Sequence, residues 1–296
     1  MEFTMEDLTH YGIFNDIPEI YYDFLFEEWH AHGINKLVLI GSVFDRAHKD
    51  PAFAESFFRK AGQHGVSFAD AHAPWTPVWA LNTPSKYKET MLKNNQRALE
   101  LCGQAGCRTL TIHIGDNICL GDFSPEQGRE DLDRTLEILI PIAEKNRVVL
   151  CIENIIAPTD QPPELIRCFQ KFSSDHFGCC YDSGHANAMA YFPGKDPEKM
   201  SPWIRDNLWH GKVEFYKGDA LQELLPYIVT CHLHDNDGFG DQHLLPGKGT
   251  ISWGEVMAKL KNAPRLKSMQ SEVPLYTQGG ISIEASLEAF RKNLFA

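Results

Sequence analysis

The feature that most constrains this chain is an alternation of short apolar runs with longer amphipathic segments along its whole length. The runs are a weak one over Leu8–Phe14, then Leu37–Ile40, Ser67–His72, Arg108–His113, Val148–Glu153, Gly178–Asp182, Ile228–His232 and Leu266–Glu272. Neighbouring parallel strands need a long crossover between them, so strands separated by helical segments predict a parallel sheet. Eight such units predict an α/β fold that closes into a (β/α)8 TIM barrel. No internal repeat and no low-complexity linker interrupts the pattern, so residues 1–296 are read as a single barrel domain.

The clearest helical segments are Ser85–Gly103 and Ser124–Asn146, with Ser252–Asn262 and Ser282–Asn293 as the last two. Ser124-Pro125-Glu126 supplies an N-cap followed by proline at the first helical position, and Pro141 predicts a kink or an early end. Tyr191–Gly218, rich in Pro, Gly and Trp, is placed as an insertion after a strand end, where barrels carry functional loops.

Composition narrows the partners. The 296 residues are 43% hydrophobic, enough for one sizeable core, yet no apolar run approaches the ~20 residues that span a bilayer. The opening MEFTMEDLTHYG has no basic stretch before an apolar one, so a cytoplasmic protein is expected. Lys and Arg number 28 against 40 Asp and Glu, a formal charge of −12 that repels phosphate backbones. Lys259–Lys267, the densest basic stretch, is broken by Asn262, Ala263 and Pro264. A small-molecule substrate is therefore expected rather than nucleic acid or membrane, and a homo-oligomer is compatible with the sequence. Eight cysteines (Cys102, Cys107, Cys119, Cys151, Cys168, Cys179, Cys180 and Cys231) form no CxxC pair, and the strand-like setting of four of them reads as buried thiols.

The chemistry is concentrated at strand ends. His72, His113, Glu153, Asp182, His232 and Glu272 each close an apolar run, in phase with the residues two before them. With a side-chain period of 2, all of them can point into the barrel mouth while their neighbours pack outward. Catalytic groups of barrels sit at that end. Such a ring of carboxylates is costly, since like charges repel and burial penalises each one, and a divalent cation removes both costs. Carboxylate mixed with imidazole suits Zn²⁺, Mn²⁺, Fe²⁺ or Co²⁺. His185, three residues past Asp182, and the pair Asp241 and His243 on the loop after the seventh strand fit the same site. A lone strand-end His is more often a hydrogen-bonded core residue, and His185 and His234 taken singly are evenly balanced. Glu153, Asp182 and Glu272 are harder to explain without a partner. His10, His30, His32, His48, His64, His176 and His210 read as ordinary surface or helix residues. Trp75, Trp79, Trp203 and Trp209 are candidates for a sugar pocket, with packing as the role of at least half of them.

These pieces resemble the xylose isomerase-like TIM barrel superfamily, also called AP endonuclease family 2. The matching stretches are His72-Ala-Pro-Trp75, Thr111-Ile-His113, Cys151-Ile-Glu153-Asn154, Asp182-Ser-Gly-His185, His232-Leu-His234-Asp235, Asp241-Gln-His243 with Pro246-Gly-Lys-Gly249, and Glu272. Their order and spacing carry the resemblance, which spans Ala71 to Glu272. In the sugar epimerases and isomerases of that group it implies metal ligands at Glu153, Asp182, His232 and Glu272. It also implies the further set of an endonuclease IV-like trinuclear zinc site at His72, His113, His185, Asp241 and His243. Departures from the endonuclease are Trp75 where its motif has Tyr, His234 where it has Asn, and the acidic charge.

The function expected from the resemblance is a metal-dependent sugar or polyol isomerase or epimerase. Glu153 and Glu272 would pass a proton between carbons through an enediolate, and His185 would contact substrate oxygens. Zinc or manganese is expected, with magnesium, iron or cobalt as alternatives and one to three ions. A dehydratase or lyase shares the first step. An endonuclease IV-like zinc phosphodiesterase acting on abasic DNA is favoured by the full ligand set and disfavoured by the charge. A non-catalytic sugar-binding subunit fits a complete ligand ring least.

Overall fold

The structure, a computed structural model, describes all residues except 1–2, 13, 15–16, 84, 116–123, 210, 274–280 and 296. Cys119 and His210 lie outside the described residues. Eight strands close in sequence order: β1 (Leu8–Tyr11), β2 (Lys36–Leu39), β3 (Ser67–His72), β4 (Thr109–Ile112), β5 (Val149–Glu153), β6 (Phe177–Asp182), β7 (Ile228–Leu233) and β8 (Ser268–Ser271). Every neighbouring pair is parallel, including β1 with β8.

The α-helices described are α1 (Tyr22–Ala31), α2 (Gly41–Lys49), α3 (Pro51–Gln63), α4 (Lys88–Ala105), α5 (Pro125–Asn146), α6 (Pro162–Lys171), α7 (Ser183–Met189), α8 (Ala220–Leu224), α9 (Trp253–Leu260) and α10 (Ile283–Leu294). Ser124 caps α5 as its sequence predicts, its hydroxyl accepting from the Gln127 amide. The helix does not end at Pro141: it continues to Asn146 and stops where Arg147 turns left-handed at φ 60°. One missing hydrogen bond inside a helix of 22 residues is outweighed by the buried stripe of Leu132, Leu136, Leu139 and Ala143.

Alternation along the strands sorts the side chains. Leu110 and Ile112 of β4, and Leu150 and Ile152 of β5, join the main apolar core. Between them Thr109, Thr111, Val149, Cys151 and Glu153 are buried, with Val149, Cys151, Cys180 and Val229 forming a separate small apolar cluster. Near the N-terminal ends of the strands Asp70 is fully buried, and accepts hydrogen bonds from Thr9 Oγ1, Thr109 Oγ1, Ser268 Oγ and Arg108 Nη2 at 2.9–3.0 Å. Four strands are thereby tied to one carboxylate, with its charge paired to Arg108.

One irregularity sets the phase of the site. The β6–β7 register jumps from Cys179 opposite Ile228 to Cys180 opposite Thr230, leaving Val229 as an extra residue. Val229 packs against Cys180, while Thr230 Oγ1 bonds to Ser268 Oγ and Gln270 Nε2 in the network around Asp70. A β-bulge of this kind turns two successive side chains the same way. Beyond it Asp182 stands directly opposite His232. Gly178 leaves the room that Val229 needs, since a Cβ there would lie 2.4 Å from Val229 Cγ2.

Two placements differ from the sequence reading. The Tyr191–Gly218 insertion follows α7, not the strand itself, and is fastened at its base by Tyr191 N to Tyr216 O and Tyr216 N to Met189 O, both 2.8 Å. His10 is neither at the surface nor in a helix: it is buried within β1, whose brevity and weak pattern hid the strand's full burial, while His48 is a buried residue of α2.

The seven described cysteines are all buried and free. No helix among the described residues is long and apolar enough to cross a membrane.

Candidate metal and sugar site

The C-terminal ends of the strands surround a cavity of about 680 Å³. His72, His113, Glu153, His185, Asp241, His243 and Glu272 line it, with Asp182 and His232 fully buried among them. All nine residues singled out from the sequence therefore meet at this mouth.

Glu153 is the hub. Its Oε2 lies 3.3 Å from His72 Nε2 and 3.2 Å from His113 Nε2, and its Oε1 lies 3.1 Å from His232 Nδ1 and 3.3 Å from His185 Nδ1. Burial pushes the Glu153 carboxyl up, but His232 and the other imidazoles prevail and hold it well below the usual carboxylate range. Asp182 behaves alike: burial raises it, and His185 and His234 bring it far down. Conversely, burial lowers His185 and His243 while Asp182 and Asp241 raise them, His243 to about 10.

Two residues fix the orientation of this set, and the sequence reading assigned neither a role. Tyr11 Oη lies 3.2 Å from His232 Nε2, leaving Nδ1 to face Glu153, Asp182 and Glu272 at 3.1, 3.6 and 3.3 Å. Burial, with Glu272 next, pushes the Tyr11 phenol well above its ordinary value, so it remains a neutral hydroxyl. The signal for Tyr11 was its phase with Thr9, obscured by the weak first strand. Asn154 clamps β5 to β6: its Oδ1 accepts from the Asp182 amide at 2.8 Å and its Nδ2 donates to the Asp182 carbonyl at 3.0 Å. Asp182 also caps α7, accepting from the His185 amide at 2.6 Å, which brings the His185 ring over the cluster.

The donor set suits cations. One ligand atom each from Glu153, Asp182, His232 and Glu272 lies within 4.8 Å of all the others, and so do sets from His72, His113 and Glu153 and from His234, Asp241 and His243. Bonds of about 2.0–2.3 Å from one ion place its ligands at most ~4.6 Å apart, so modest tightening closes each set. Glu272 Oε2 and Asp241 Oδ1 are buried without a hydrogen bond, as carboxylate lone pairs facing a cation would be. His243 is held for this at φ 48°, its Nδ1 2.9 Å from the Glu272 carbonyl and its Nε2 3.2 Å from Asp241 Oδ2. The third set contains His234, which stacks on His243 with centroids 4.1 Å apart, whereas His185 reaches Asp241 at 3.4 Å without completing a set.

Above this polar floor the walls are apolar: Pro74, Trp75, Ile155, Ile156, Trp203, Ile204 and Leu208. Trp75 and Trp203 are about 40% exposed and meet edge to face at 5.2 Å, while Trp79 and Trp209 are buried packing residues.

The family profile of the xylose isomerase-like TIM barrels matches residues 30–291. The chain belongs to that family. Within it, the chain is 25% identical over 199 residues to an uncharacterized protein of Methanocaldococcus jannaschii, a match that spans 64% of this chain and 59% of the relative. Solved structures share the fold at low identity. The 3-keto-D-glucoside 4-epimerase YcjR of E. coli superposes with a TM-score of 0.70 over 98% of both chains at 13% identity. The IOLI protein with a bound zinc atom gives 0.64 at 17% identity, over 93% of this chain and 91% of its own.

Proposed function

We propose that this protein is a divalent-metal-dependent sugar or polyol isomerase or epimerase. The observation that carries the reading is the convergence of Glu153, Asp182, His232 and Glu272 at the floor of the cavity in the barrel mouth. Those four residues would hold the ion, with zinc or manganese suited to the mixed carboxylate and imidazole donors. The sugar epimerase and the zinc-bound protein among the solved relatives support the same direction. A cation held by these residues would supply Lewis-acid polarisation to the substrate.

The remaining chemistry belongs to the side chains. Glu153 and Glu272 stand on β5 and just past β8, and both face the cavity. One carboxylate takes the proton from the carbon next to the substrate carbonyl, giving an enediolate, and the other returns a proton to the neighbouring carbon or the opposite face. His185, with Nδ1 fixed near Glu153 and the Asn154 carbonyl, would contact a substrate hydroxyl through Nε2 in exchange for its 3.4 Å approach to Asp241 Oδ2.

The test is deuterium incorporation from D2O into a panel of ketoses and aldoses by zinc- and manganese-loaded protein. Exchange at the carbon next to the carbonyl is expected, falling about 10²–10⁴-fold in Glu272→Gln. No exchange on any sugar, together with incision of abasic duplex DNA, would overturn the reading.

The phosphodiesterase reading has one specific observation in its favour: two further donor sets flank the core one. A dehydratase or lyase would use the same first proton abstraction, and product analysis separates it.

A further inference from the structure

The cavity is larger and far less polar than a free sugar requires, and the chain places no strong cation in it. All 28 Lys and Arg side chains belong to described residues, since residues 1–2, 13, 15–16, 84, 116–123, 210, 274–280 and 296 contain neither. None of the 28 lines the cavity. The imidazoles that do line it are committed to carboxylates: His72 and His113 to Glu153, and His185 and His243 to Asp241, at 3.2–3.4 Å. A phosphorylated substrate would thus face the carboxylates of Glu153, Asp241 and Glu272 with no guanidinium or ammonium to receive it. Among the described residues, the N-terminus of α2 at Gly41 is an anion-tolerant element on the wall.

The other half of the cavity has a different character. Trp203 and Ile204 come from the insertion, Trp75 from the β3 loop, and Ile155 and Ile156 from the β5 loop. Three separate segments thus build one apolar wall. Both indoles keep about 40% of their surface open although each touches the other. A volume of about 680 Å³ lies within the usual range of small-molecule sites and is not filled by one sugar ring. Exposed indole faces beside a polar floor recognise a flat apolar group attached to a polar one.

Resting on the isomerase or epimerase reading, we propose that the substrate is an unphosphorylated glycoside carrying a ring ketone, the carbonyl that proton abstraction needs once the anomeric carbon is locked as an acetal, whose sugar meets the carboxylate and imidazole floor and whose aromatic aglycone lies against Trp75 and Trp203. Trp75 and Trp203 are then specificity-determining residues, and the Tyr191–Gly218 insertion is the element that supplies the aglycone wall.

The test is calorimetric binding to zinc-loaded protein, without turnover. The probes are the phenyl and methyl β-glycosides of glucose, galactose and xylose, together with glucose and glucose 6-phosphate. The phenyl glycoside of at least one sugar should bind about tenfold or more tightly than its methyl counterpart, and glucose 6-phosphate more weakly than glucose. Trp203→Ala should remove the phenyl preference while leaving methyl glycoside binding and the far-UV circular dichroism unchanged, and Trp75→Ala should reduce it. The proposal is overturned by equal phenyl and methyl affinities, by no measurable binding of any phenyl glycoside, or by tighter binding of glucose 6-phosphate. Deuterium exchange into free sugars with no phenyl preference would sink this inference and leave the isomerase reading standing. Trp203-dependent phenyl binding with no exchange on any free sugar or keto-glycoside would do the reverse.

Discussion

Gly184 leaves the space that the His234 ring occupies: a Cβ at Gly184 would lie 2.0 Å from His234 Cε1. His234 Nε2 in turn lies 3.1 Å from Asp182 Oδ2, so the glycine after Ser183 determines how a carboxylate two positions earlier is oriented. Gly184→Ala must displace His234, because a backbone-bound methyl cannot retreat. Metal affinity should fall about 10–100-fold, the usual cost of disturbing a ligand's supporting hydrogen bond. A competition titration with a chromophoric chelator reads this, and unchanged affinity would remove His234 from the supporting role.

Metal uptake should release protons. His185 and His232 are held well above 6.5 and His243 at about 10, so all three are protonated near neutral pH when no cation is bound. A cation replaces those protons, and affinity must rise with pH. The metal-free protein follows the opposite sign. The raised His243 value contributes stability that is full below 6.5 and is lost as pH climbs toward about 10. Calorimetry of zinc binding in two buffers of different ionisation enthalpy should show at least one proton released per ion, and none would contradict the protonation of these imidazoles.

Asp241→Asn separates one ion from several. Asp241 belongs to the set with His234 and His243 and not to the set of Glu153, Asp182, His232 and Glu272. As an isomerase or epimerase the protein should keep its single ion in this variant and lose activity through substrate contacts. Elemental analysis that finds more than one ion per chain in the wild type, with loss of one in Asp241→Asn, would shift the balance to the phosphodiesterase.

Asp235 should prove the main support of the loop that carries His243. Its Oδ1 accepts from the Asn236 and Ile251 amides and its Oδ2 from the Gly247 amide and Trp253 Nε1, at 2.9–3.2 Å. Asp235→Asn turns one acceptor into a donor facing buried donors, at a cost of about 3 kcal/mol. Urea unfolding should show a lowered midpoint at constant slope, and an unchanged midpoint would mean that the loop is held elsewhere.

His10 should govern part of the acid stability. Burial depresses it from 6.5 to about 4, so the unfolded chain takes up a proton in that interval while the folded chain does not. Stability is full above 6.5 and falls as pH drops to about 4, by roughly 3 kcal/mol. His10→Leu should flatten that part of the profile in thermal melts, and parallel profiles for the two proteins would exclude His10 as the cause.

Local pattern alone revealed the barrel and the nine polar residues at its mouth. Strand periodicity is a backbone property, so Thr109, Thr111 and His113 announce a shared face without knowledge of any neighbour. Pairing across strands is different, because it depends on closure, stagger and bulges that no single segment encodes. The extra residue Val229 brought Asp182 opposite His232, and barrel closure carried Tyr11, on the weakest strand, to His232 Nε2. Tertiary packing likewise buried His10, grouped His234 rather than His185 with Asp241 and His243, and separated Trp75 and Trp203 from the packed Trp79 and Trp209. Which side chains reach a strand end is a one-dimensional matter; which of them touch is decided by long-range register.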